Sequence, residues 1–123
     1  MEQELIVIST IELTWSDWFA WEDIKADERR KNGPVRVPKE PGVYEAKYKD
    51  AEERLTIGRA TNLRQRVKEE LVRGNFRHDA GDNICLKETI TDVVVRWAIT
   101  SRPAATEEEL HQRHRQRFGK LPK

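Results

Sequence analysis

Gly42-Val43-Tyr44-Glu45-Ala46-Lys47-Tyr48, then Lys49-Asp50-Ala51-Glu52-Glu53, then Arg54-Leu55-Thr56-Ile57-Gly58 is the stretch on which the fold turns. Pro41-Gly42 marks a turn, and the first run alternates with the two-residue period of a strand. A polar connection separates it from a second β-prone run, which predicts an antiparallel hairpin. Directly afterwards Thr61 or Asn62 offers an N-cap to a helix with Leu63, Val67 and Leu71 on one face and Gly74 as its stop.

Outward from this hairpin the signals are mixed. Residues 75–91 read as loop and short helix. Asp92 to Thr100 is rich in valine and predicts a strand that Pro103 ends. Thr106 with Glu109 reads as a capping box for a last helix through His111 and Arg115 to about Phe118, before Gly119. Upstream, Leu5-Ile6-Val7-Ile8 with Ile11 and Leu13 predicts a strand over 4–14. Ser16 then caps a helix beginning near Asp17 and stopped by Gly33-Pro34. Trp15, Trp18 and Trp21 recur at helical spacing beside Phe19 and Ile24. Such a stripe reads first as core packing and second as a surface on which bases stack. The expectation is an α+β fold, a small three-stranded, mostly antiparallel sheet flanked by helices. Residues 1–36 form an N-terminal strand–helix extension and residues 37–123 the main domain.

The chain has 123 residues, 37% of them charged, which fits one domain with a small core and heavily charged faces. Adding the six glycines to the hydrophobic residues gives an apolar share of roughly 42%, just under the usual globular range. No apolar run approaches the ~18 residues of a membrane span. The acidic opening Met1-Glu2-Gln3-Glu4 does not resemble a secretion signal. A single cysteine, Cys85, excludes an internal disulfide framework and fits a reducing, cytoplasmic setting. The formal charge of +1 hides a marked asymmetry. Residues 1–32 hold eight acids against four bases, whereas residues 54–77 hold seven bases against Glu69 and Glu70. Arg113 to Lys123 has five bases and no acid. The basic half suits a polyanion, although solvated helix faces would look the same.

Three ordered features then coincide: Pro-Gly-Val-Tyr opening one strand, Ile57-Gly58 closing the next, and Asn62-Leu63-Arg64-Gln65-Arg66 on the following helix. Together they resemble the GIY-YIG nuclease family, such as the N-terminal nuclease domain of the bacterial excinuclease and its small relatives. The resemblance covers residues 38–113. It implies a metal-dependent endonuclease that hydrolyses nucleic-acid phosphodiesters, DNA in the first instance. Tyr44 would act near the attacking water, Arg66 and Arg59 would stabilise charge on the phosphate, and Glu107 would hold one divalent cation, Mg²⁺ or Mn²⁺. Glu108 and Glu109 compete for that last role. Arg64, Arg73, Arg113, Arg115 and Arg117 would follow the nucleic-acid backbone without reading sequence.

The chain departs from the family pattern at two places. Thr56 stands where the second motif has a tyrosine, so this member of the catalytic set has a shorter and far less acidic hydroxyl than a phenol. No asparagine follows the last helix. These departures support an alternative: a catalytically weakened module of the same fold that binds nucleic acid or protein, with the Trp15–Trp21 segment as contact surface. A third reading is a piece of a larger protein whose other domains or partners supply targeting. Other constellations are weaker. His78, Cys85, His111 and His114 lack the paired spacing of a zinc site, and nothing fixes a base beside Cys85 for thiol chemistry. Asp79, Asp82 and Asn83 lack the later glutamate of a calcium loop, and there is no glycine-rich nucleotide loop.

Overall fold

The structure, a computed structural model, describes residues 12–26, 35–72 and 92–122. Along them run β1 (Phe19–Ala20), α1 (Trp21–Ala26), β2 (Gly42–Tyr48), β3 (Arg54–Ala60), α2 (Arg64–Val72), β4 (Val93–Ile99) and α3 (Pro103–Phe118). The strands form one antiparallel sheet in the order β1-β4-β2-β3. The α+β class is as expected, with one strand more than the sequence suggested: the two-residue β1 lies alongside β4. Among the described residues no helix is long and apolar enough to cross a membrane.

Register decides which side chains share a face, because successive residues of a strand point opposite ways. Gly42, Tyr44 and Ala46 of β2 stand opposite Ala60, Gly58 and Thr56 of β3 and opposite Ile99, Trp97 and Val95 of β4. This face carries the core. Tyr44, Ala46, Val95 and Trp97 cluster there with Trp21 and Ile24 of α1, with Leu63 and, from α2, Val67 and Leu71, and with Val35 and Val37. Burying each leucine stabilises the fold by ~1.5–3 kcal/mol. Gly42 is required at its position, since a Cβ there would overlap the Ala98 carbonyl and the Leu63 side chain. The segment before residue 37 thus contributes both a sheet edge and core residues.

α2 is wound in the wide π form, and Val67 and Leu71 on it, with Leu63 just before it, are fully buried in the core. Asn62 caps it: its Oδ1 accepts from the Gln65 N–H at 3.1 Å. The Leu63 and Arg64 amides donate to the Glu40 and Pro38 carbonyls, so the loop before β2 closes the helix start. Gly74, the expected stop, and residues 75–91 lie outside the described residues.

α3 starts three residues before the expected capping box. Pro103 occupies its first turn, where a missing N–H costs nothing, and Thr106 sits inside the helix. The Thr106 hydroxyl donates to the Arg102 carbonyl at 2.7 Å, and Glu109 pairs with Arg113 at 3.1 Å. The capping box is therefore absent. The end is as expected: Gly119, at φ 75°, adopts the left-handed cap and donates its N–H to the Arg115 carbonyl.

The leader differs most from expectation. Residues 12–14 have no regular structure, and the remainder of the strand expected over 4–14 lies outside the described residues, as does the Gly33-Pro34 stop. Ser16 caps no helix. Its amide donates to the Trp97 carbonyl at 2.8 Å, and its hydroxyl accepts from the Trp97 N–H at 3.0 Å. The chain is thus extended through residues 16–20, and the three tryptophans separate. Trp21 joins the core, while Trp15 and Trp18 lie on the opposite sheet face, with Arg96 between them at 4.1 and 4.5 Å from their ring centroids. Beneath them Glu45, 4% exposed, pairs with Arg96 at 2.7 Å and with Arg54 at 3.1 Å. The Arg54 Nε lies off its N–H axis in this contact, so that attraction is Coulombic rather than a hydrogen bond.

Candidate functional site

β3 is the outermost strand on its side, and an unpaired strand edge needs partners for its outward amides and carbonyls. α3 supplies them through two histidines spaced for one helix face. His111 Nε2 lies 2.9 Å from the Ile57 carbonyl, and His114 Nε2 accepts from the Arg54 N–H at 3.2 Å. The second ring is held further by Nδ1 at 2.8 Å from the Lys120 carbonyl and by Phe118 at 4.6 Å between centroids. Carbonyl oxygens only accept, so His114 carries its proton on Nδ1 and His111 on Nε2. The docked helix lays its first turns beside the end of β3, where two cavities open.

The first cavity, about 580 Å³, is lined by Arg59, Ala60 and Thr61 from the end of β3, Arg66 from α2, and Ser101 to Ala105 from the entry to α3. Arg59, Arg66 and Arg102 thereby surround one space with walls of alanine and proline. A small polar recess of about 140 Å³ continues from it past Thr61, Asn62 and Gln65. The second cavity, about 500 Å³, is lined by Arg59, Ala104, Ala105, Glu107, Glu108, His111, Gln112, Arg115 and Leu121. Arg59, Ala104 and Ala105 belong to both, so the guanidinium of Arg66 and the carboxylate of Glu107 open onto adjoining spaces.

Three of the expected catalytic residues, Arg59, Arg66 and Glu107, are therefore brought together. Two are not. Tyr44 is 2% exposed and lines neither cavity, because its phenol lies across Gly58 on the core face. Thr56 is buried on the same face, opposite Ala46. Of the three candidate glutamates, Glu107 and Glu108 line the second cavity, and Glu109 pairs with Arg113 instead.

The expected backbone-following arginines are spread out. Arg115 lines the second cavity, Arg64 lies half-buried at the start of α2, and Arg113 and Arg117 are exposed on α3 in contact with Glu109 and Glu52. Arg73 lies outside the described residues, as do His78, Asp79, Asp82, Asn83 and Cys85. Among the described residues no group of three or more His, Cys, Asp or Glu side chains gathers as a metal site. Carboxylates from a single helix turn are the donors present, which fits a hard cation keeping most of its coordination for water and phosphate oxygens. Sequence reading missed Arg102 and His111, whose places depend on how α3 docks. Comparison with protein-family models, curated proteins and solved structures found no match to this chain.

Proposed function

We propose that this protein is a nuclease domain of GIY-YIG type that binds a nucleic-acid phosphodiester between α2 and α3 and hydrolyses it with one divalent metal. The observation that carries the reading is the shared wall: Arg59 stands between a cavity holding Arg66 and Arg102 and a cavity holding Glu107 and Glu108. Guanidinium groups match phosphate oxygens in charge and geometry, and they stabilise the extra negative charge of a five-coordinate phosphorus. Glu107, with Glu108 beside it, would hold Mg²⁺ or Mn²⁺, which supplies Lewis-acid polarisation when bound. Arg115, Arg113 and Arg117 extend positive charge along α3 for the flanking backbone.

The test is cleavage of supercoiled plasmid with Mg²⁺ or Mn²⁺ by the full chain and by Glu107→Ala and Arg66→Ala. Loss of nicking in both variants and on chelation supports the reading, and nicking that survives both substitutions overturns the site. A second reading rests on the burial of Tyr44 and Thr56: a binding module of the same fold without hydrolysis. Salt-sensitive binding of DNA with no metal-dependent nicking would favour it.

A further inference from the structure

Hydrolysis needs a group that takes a proton from water, and Tyr44, the residue expected near the attacking water, is 2% exposed on the core face and lines neither cavity. His111 does line the cavity of Glu107 and Glu108. Its hydrogen bond to the Ile57 carbonyl settles which nitrogen is basic, since that partner only accepts and the proton must sit on Nε2. Nδ1 is left with its lone pair. The arrangement is that of a general base oriented by a fixed second partner, with a backbone carbonyl as the orienting group. Glu107 lies about one helical turn earlier and lines the same cavity.

We propose that His111 Nδ1 is the general base of this site, an assignment that rests on the nuclease reading above. As the oxygen of a water molecule bonds to phosphorus, Nδ1 takes one of its protons. The bond from phosphorus to one sugar oxygen breaks, that oxygen leaves with the electron pair, and it takes a proton from solvent. The ring then returns its extra proton to bulk water. Glu107, Glu108 and Arg115 of α3 and Arg59 of β3 line the same cavity as the ring. The two guanidinium groups match phosphate oxygens in charge and geometry.

The experiment uses the full chain and three variants. His111→Gln keeps a donor for the Ile57 carbonyl and removes the basic nitrogen, so the edge of β3 stays covered. His111→Gly opens space for added imidazole, and Glu107→Ala serves as the metal-site control. Single-turnover plasmid nicking is followed together with Mn²⁺ affinity by electron paramagnetic resonance and with DNA affinity. The expected result is a fall of ~10²-fold or more in the rate of His111→Gln, with unchanged Mn²⁺ and DNA affinity. Millimolar imidazole restores part of the rate to His111→Gly and none to Glu107→Ala. An unchanged rate in His111→Gln overturns the proposal while leaving the nuclease reading intact. A loss of Mn²⁺ affinity in His111→Gln also overturns it, because the ring then ligates the metal. A wild-type chain that fails to nick overturns both.

Discussion

The phenol of Tyr44 fills the space above Gly58 that any side chain on that residue would need. A Cβ built on Gly58 overlaps the Tyr44 ring, coming within 2.8 Å even of Cε1. The two residues are direct cross-strand partners, so the ring reaches its place through the pairing of β2 with β3. Gly58→Ala is expected to destabilise the fold by about 3 kcal/mol, the upper range for overpacking. The pair is coupled: in a Tyr44→Ala background the same substitution costs under about 1 kcal/mol. Urea denaturation of the two single variants and the double variant measures both values.

Glu45 is buried between two arginines, and removing its charge leaves both without their counter-charge under the tryptophans. Glu45→Gln is expected to cost about 2–3 kcal/mol, below the full range for a buried pair because Arg54 and Arg96 keep 14% and 20% side-chain exposure. Glu109→Gln removes the pair with Arg113, whose side chains are 49% and 71% exposed, and changes stability by under about 0.5 kcal/mol. Chemical denaturation of the two variants in parallel separates the buried pair from the exposed one.

His114 ties the edge strand to the end of α3, since it serves the Arg54 amide and the Lys120 carbonyl at once. His114→Phe keeps a ring against Phe118 and loses both hydrogen bonds. The expected cost is about 1–3 kcal/mol for stranded polar groups. An uncovered β3 edge also invites pairing between copies, so light scattering on warming rises earlier than for the wild type.

Arg115 is the α3 arginine that lines a cavity, whereas Arg113 and Arg117 face Glu109 and Glu52. Arg115→Ala is therefore expected to lower the slope of log affinity against log salt for duplex DNA by ~0.9, one phosphate contact. Arg113→Ala, with its charge already paired, lowers it by less than half of that. Fluorescence anisotropy across a salt series reads the difference.

What sequence revealed of this fold divides by the range of the forces involved. The hairpin of β2 and β3 and the strand at Val93–Ile99 were legible because alternation and turn residues are local signals. Asn62 as a cap and Gly119 as a stop were legible for the same reason. The leader was not legible, because Ser16 and the tryptophans have helical spacing, yet Trp97 offered Ser16 a ladder partner that no local pattern encodes. Nor was the place of Thr106, because Pro103 starts the helix earlier and a threonine hydroxyl bonds equally well to the carbonyl four residues back. Arg59, Arg66 and Glu107 were singled out by motif order, and they line the two adjoining cavities. The burial of Tyr44 and the placement of His111 depend on tertiary packing, which spacing along the chain does not carry.

β4 joins the sheet between β1 and β2, and both of its ladders bridge remote parts of the chain. Glu45 and Arg96 are 51 positions apart, and Ser16 and Trp97 are 81. Among the described residues only the β2–β3 ribbon closes a short loop, so it is the piece a growing polypeptide can assemble by itself. Every other ladder waits for the arrival of Val93–Ile99, against the loop-closure entropy of those long separations. Assembly of the sheet is thereby tied to the arrival of one late strand, and a chain terminated before it would lack the ladder partner of both β1 and β2.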